Sequence, residues 1–137
     1  MARGIFHQNV REALEKDGWT ITHDPLILQA GERKVRVDLG AERLIVAEKG
    51  AEKIAVEIKS FLDDSILTDF HRALGQSILY LFAIEKSKTD RVLFTAIPSD
   101  AFEELMSDEF YIELSRRENI RYLVFDPLKN VIVKWIK

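Results

Sequence analysis

The 137-residue chain has no cysteine, and that one absence removes disulfide frameworks, thiolate zinc sites, iron–sulfur clusters and cysteine nucleophiles together. A reducing compartment fits it. Proline and glycine are scarce, three and six, too few for collagen-like repeats or linker-like low complexity. No apolar run approaches the roughly 20 residues needed to span a bilayer, and the start, Met1 to His7, lacks an apolar signal core. A strong basic excess is missing too: 20 Lys and Arg stand against 23 Asp and Glu, a net charge of −3. Proteins that coat nucleic acid nonspecifically carry such an excess; a local basic rim around a small site remains compatible with the balance. What is present is 47% apolar and 31% charged residues, enough to build a core and too apolar for disorder. These numbers predict one soluble, cytoplasmic domain spanning residues 1–137, with no membrane segment.

Periodicity predicts a helix over Ile5–Lys16, with Phe6, Val10, Ala13 and Leu14 on one face and Asp17-Gly18 as its stop. Trp19–Gln29 changes period, with Thr20–His23 and Leu26–Leu28 as strand and a bend at Asp24-Pro25. Candidate strands follow at Lys34–Leu39, Arg43–Glu48 and Lys53–Phe61, separated by Gly40 and Gly50, with a turn at Glu48-Lys49-Gly50. A long helix from Leu67 to Lys86 carries Phe70, Leu74, Ile78, Leu81 and Phe82 as an apolar stripe. Arg91–Ile97 reads as a strand, Ala101–Arg117 as a helix, and Arg121–Phe125 with Val131–Ile136 as a hairpin. The order, roughly α-β-β-β-β-α-β-α-β-β, predicts an α/β fold with a mixed central sheet flanked by helices.

The chemistry concentrates in two strands. In Lys53–Ser60, alternation puts Ile54, Val56 and Ile58 on one face and Ala55, Glu57 and Lys59 on the other. In Lys34–Leu39, Val35, Val37 and Leu39 oppose Lys34, Arg36 and Asp38. Pairing the two strands brings Asp38, Glu57 and Lys59 together. Two carboxylates sharing a site repel unless a cation neutralises them, and a hard divalent ion such as Mg²⁺ takes oxygen ligands of this kind. An ammonium beside such an ion can help position a water for attack on a phosphodiester. On the long helix, Gln76 and Tyr80 at i, i+4 lie in line with Asp69 and Ala73, away from the Leu74/Ile78/Leu81 stripe. The acidic pairs Asp63-Asp64 and Glu103-Glu104 read as solvated or helix-start charges.

Asp38, then Glu57-Ile58-Lys59 followed by a helix, resembles the D…(D/E)-x-K signature of the PD-(D/E)XK nuclease superfamily, and Gln76-Ser-Ile-Leu-Tyr80 resembles the Q-x-x-x-Y element of its RecB-like members. More specifically, Asp17–Pro25, Val37–Glu42, Ala55–Phe61 and Ala73–Gln76 resemble the XisH family, the fdxN element excision controlling factors of cyanobacteria. That resemblance implies a restriction-endonuclease-like fold and a part in heterocyst differentiation, where a DNA element is excised together with XisI and a site-specific recombinase. It implies Mg²⁺ or Mn²⁺ held by Asp38, Glu57 and the Ile58 carbonyl, Lys59 activating water, Gln76 and Tyr80 supporting the site or contacting DNA, and a homodimer. The superfamily's frequent Pro before the first carboxylate is Val37 here. His7 stands where related nucleases often carry a metal-binding Glu on the first helix, so the site would be completed from that position by an imidazole.

Two functions compete. One is a divalent-metal-dependent endodeoxyribonuclease. The other is a non-catalytic, recombination-directing adaptor that keeps the nuclease scaffold and works through a XisI-type partner. For the individual residues, plain structural roles also stand: an exposed cross-strand pair for Glu57 and Lys59, a solvated or capping role for His7, and sheet packing with a bonded hydroxyl for Tyr80.

Overall fold

In the computed structural model the described residues are 4–46, 50–62 and 65–137. The predicted turn at Glu48-Lys49 and the acidic pair Asp63-Asp64 lie outside them. The chain runs α1 (His7–Lys16), β1 (Thr20–His23), β2 (Leu26–Ala30), β3 (Arg33–Val37), β4 (Leu39–Val46), β5 (Gly50–Ile58), α2 (Ile66–Ser87), β6 (Val92–Pro98), α3 (Ser99–Leu105), α4 (Glu109–Arg117), β7 (Tyr122–Asp126) and β8 (Val131–Ile136). Six strands form a mixed sheet ordered β1-β4-β5-β6-β7-β8; β2 and β3 form a separate two-stranded sheet. β5, β6 and β7 are parallel neighbours, and the remaining pairs are antiparallel. This is the α/β architecture expected, with helices on both faces of a mixed sheet. None of the helices is long and apolar enough to cross a membrane among the described residues.

The alternation read from the sequence sorts the two faces. Leu39, Ala41, Ile54, Val56, Phe94 and Leu123 pack with Val10 and Leu14 of α1. On the other face Ala55 and Leu93 meet Tyr80, Ala83 and Ile84 of α2 together with Leu26, Leu28 and Val37 of the small sheet. The face carrying Glu57 is therefore covered rather than solvated.

The strand pieces expected on either side of Asp24-Pro25 are β1 and β2, and the bend hands the chain from one sheet to the other. Three expectations need correction. The strand around Val35 pairs with β2 and not with the Glu57 strand; it is β4 that pairs with β5. Gly40 is no spacer: it lies inside β4, bonded to β1 and β5, where an added Cβ would come within 3.2 Å of His23 Cβ. Such close approach of a neighbouring backbone is a recurrent reason for glycine in a strand. Ala101–Arg117 is two helices, since the Asp108 side chain accepts from the Phe110 amide and starts α4 afresh.

α2 also turns differently from its apolar stripe. It buries Asp69, Phe70, Ala73, Ser77, Tyr80, Ala83 and Ile84, while Ile78 and Phe82 are 53% and 57% exposed. Small Ala73, Ser77 and Ala83 let the helix lie close to the sheet, and burying that row outweighs burying the larger side chains behind it.

Candidate functional site

Asp38 occupies the break between β3 and β4. The Leu39–Val56 register places it opposite Glu57 near the end of β5, on the same sheet face. The two residues interlock: the Asp38 amide donates to Glu57 Oε1 at 3.3 Å, and the Ile58 amide donates to Asp38 Oδ2 at 2.8 Å. Lys59 Nζ lies 3.3 Å from Glu57 Oε2. Asp38 Oδ1 has no partner among the described residues. Because the N–H and C=O of one strand residue point the same way, the Ile58 carbonyl is sent toward Asp38 as its amide is.

Glu57 is 9% exposed. Burial, reinforced by the Asp38 charge and only partly offset by Lys59, pushes its carboxyl up to about 7. Tyr80 donates its hydroxyl to the Arg36 carbonyl at 3.1 Å, two residues before Asp38. Burial, then the charges of Glu57 and Asp38, raise that phenol to about 12, so it stays protonated and donating.

The structure thus brings together Asp38, Glu57, Ile58, Lys59 and Tyr80. Gln76 lies one turn before Tyr80 on α2, with its Oε1 buried and unbonded. His7 is 5% exposed, and its Nε2 is engaged by Asp24 Oδ1 at 2.7 Å, where Arg11 also binds the same carboxylate at 2.5 Å. That network ties α1 to the β1–β2 bend. Two residues beside the site, Thr95 and Ser77, are not singled out by the sequence, whereas Asp69 stands in the polar row with Gln76 and Tyr80. Thr95 is the β6 neighbour of Glu57, with its hydroxyl 3.4 Å from Ser77 Oγ under α2. A lone threonine inside the apolar run Val92–Pro98 was the available signal. Asp69, 7% exposed, has an unbonded Oδ2 and lines a cavity of about 180 Å³ shared with Phe6, Ile58, Lys59 and Arg72.

The donors are all oxygen: two carboxylates and a strand-end carbonyl. This set suits a hard divalent cation that keeps several waters. Burial and then the Asp38 charge lift Glu57, and a cation between the two carboxylates would offset both, so the residues present fit it. No group of three or more His, Asp or Glu side chains placed to hold a metal occurs among the described residues, so further ligands would be water or main chain.

Residues 1–133 match the XisH protein family. A crystal structure of an XisH family protein from Nostoc punctiforme is similar at 40% identity and a TM-score of 0.87, covering 98% of this chain and 100% of that one. A fdxN element excision controlling factor protein from Anabaena variabilis is similar at 40% identity and a TM-score of 0.88, with the same coverage. Among curated proteins none matches significantly. With almost the full length matched at the level of sequence and of fold, this chain belongs to the XisH family.

Proposed function

We propose that this protein is a PD-(D/E)XK-type, restriction-endonuclease-like phosphodiesterase that cuts DNA during excision of a DNA element, with Mg²⁺ or Mn²⁺ as cofactor. The observation that carries this reading is the interlocked Asp38–Glu57 pair with Lys59 on its open side. The name of the Anabaena relative, an excision controlling factor, supports the biological setting. Asp38, Glu57 and the Ile58 carbonyl would hold the ion, which when bound supplies charge stabilisation for the phosphate oxygens. Lys59 donates a hydrogen bond to the attacking water and offsets charge developing on the phosphate. Tyr80 holds Arg36, and through it Asp38, in register with Glu57. Gln76, with an acceptor lacking a partner, would steady the same side of the site.

The test is a calorimetric Mn²⁺ titration alongside nicking of supercoiled plasmid. Asp38→Ala should lose Mn²⁺ binding and nicking together. Lys59→Met should keep Mn²⁺ binding and lose nicking by roughly 100-fold or more. Wild-type protein that binds Mn²⁺ without cutting DNA, or that binds none, would sink the nuclease reading.

Two observations favour a second reading, the adaptor. His7 is tied to Asp24 through Nε2, at the β1–β2 bend, and α2 presents Ile78, Leu79 and Phe82 to solvent. Such a protein would act through a XisI-type partner and a site-specific recombinase, or through a second copy of itself. Complex formation abolished by Phe82→Asp, with no Mn²⁺ binding in the wild type, is its signature.

A further inference from the structure

A cavity of about 500 Å³ opens beside β7 and β8. Arg121 and Tyr122, where β7 begins, line it, as do Ile136 and Lys137, where β8 ends. In the parallel run β5-β6-β7, Glu57 is level with Thr95 and Thr95 with Tyr122, so the cavity lies two strands across the sheet from Glu57. Asp38, Glu57 and Lys59 do not line it.

Its floor is apolar and firmly held. Phe102 and Ile120 are each 8% exposed and Tyr122 only 2%. Phe102 and Tyr122 stack edge to face at 5.6 Å, and the Tyr122 hydroxyl is fixed on Ser115 Oγ at 2.8 Å. The rim carries Arg116, Arg121, Lys134 and Lys137, and no Asp or Glu side chain lines the cavity. For a chain with more acids than bases, that one-sided lining is a local departure. Arg116 and Arg121 make no ion pair with any described residue, and Lys134 Nζ lies over the Phe102 ring, 5.0 Å from its centroid. Cations left unpaired around a partly desolvated hollow concentrate anions there, and a guanidinium fork suits phosphate above other anions. The volume falls within the range of small-ligand pockets, and an aromatic-walled floor receives a planar body. Asn119, also on the wall, offers both a donor and an acceptor to an edge of that body.

We propose that this cavity binds a nucleoside monophosphate, its base on the Phe102–Ile120 floor and its phosphate between Arg121, Arg116 and Lys134. The cavity shares no lining residue with the carboxylate pair, and the proposal does not rest on the nuclease reading.

The experiment is calorimetric titration of the full chain with AMP, GMP, CMP and UMP, and with adenosine and inorganic phosphate alone. At least one nucleotide should bind, with adenosine and inorganic phosphate each weaker by about tenfold or more. Arg121→Glu and, separately, Arg116→Glu should each weaken the nucleotide by at least about tenfold. Neither side chain makes a bond within the fold, so circular dichroism and melting temperature should be unchanged. Asp38→Asn should bind the nucleotide as the wild type does, which keeps this result separate from the fate of the cutting reaction. Failure of all four nucleotides to bind, inorganic phosphate binding as tightly as the best of them, or unchanged affinity in both arginine variants would overturn the proposal.

Discussion

Glu57 carries a conflict that the fold tolerates. Its carboxyl ordinarily titrates near 4.5 and is lifted to about 7 by burial and by Asp38. Between those two values the folded chain binds more protons than the unfolded one, so stability falls as pH rises through the window and levels off above it. The full shift corresponds to about 3 kcal/mol. Glu57→Gln keeps an acceptor for the Asp38 amide and removes the charge. It should stabilise the metal-free protein by about 1–2 kcal/mol at pH 8 and leave it unchanged at pH 4, measured by urea denaturation; equal stability of the two proteins at pH 8 would contradict the account. Tyr80→Phe deletes the bond to the Arg36 carbonyl and should cost about 1 kcal/mol. Its larger effect should be on Mn²⁺ affinity, because the lost bond is what steadies the approach to Asp38. The Asp38, Glu57 and Lys59 set was legible because each residue breaks an apolar alternation with a charge. The engagement of His7 was not, since its partner Asp24 lies 17 positions away across a bend.

α2 is the element on which the site depends, and its contact with the sheet is set by small residues. Ser77 is 3% exposed and faces Thr95. Ser77→Leu should overpack this contact, costing about 1–3 kcal/mol, and should lower Mn²⁺ affinity by lifting the helix that carries Tyr80. A melt showing no loss of stability would place the helix further from the sheet than described. The apolar stripe through Ile78 and Phe82 pointed the helix the wrong way, because hydrophobicity summed around a helix does not register how closely a small-residue row lets it dock. The polar row of Asp69, Gln76 and Tyr80 gave the correct orientation. The break between α3 and α4 was likewise visible in principle, through Asp108, but the apolar spacing of Phe102, Leu105 and Leu114 runs straight across it.

Across the molecule, the acidic balance bears on the proposed DNA chemistry. With a net charge of −3 and two carboxylates at the site, metal-free protein should repel a phosphodiester there. DNA affinity measured by fluorescence anisotropy should therefore be weak in EDTA and rise by about tenfold or more with Ca²⁺, which can occupy an oxygen site without supporting cleavage. Unchanged affinity on chelation would separate DNA binding from the carboxylate pair altogether.

The order of helices and strands, the inward and outward faces of β5 and the identity of the charged residues at its end follow from local periodicity, which is written into neighbouring positions. Strand partnership does not. Whether Asp38 belongs to the strand before it or after it depends on where the Asp24-Pro25 bend sends β2. Which row of α2 is buried depends on how near the sheet allows it to come. Those are outcomes of long-range packing, in which the same alternation can be satisfied by several neighbours and close fit selects among them.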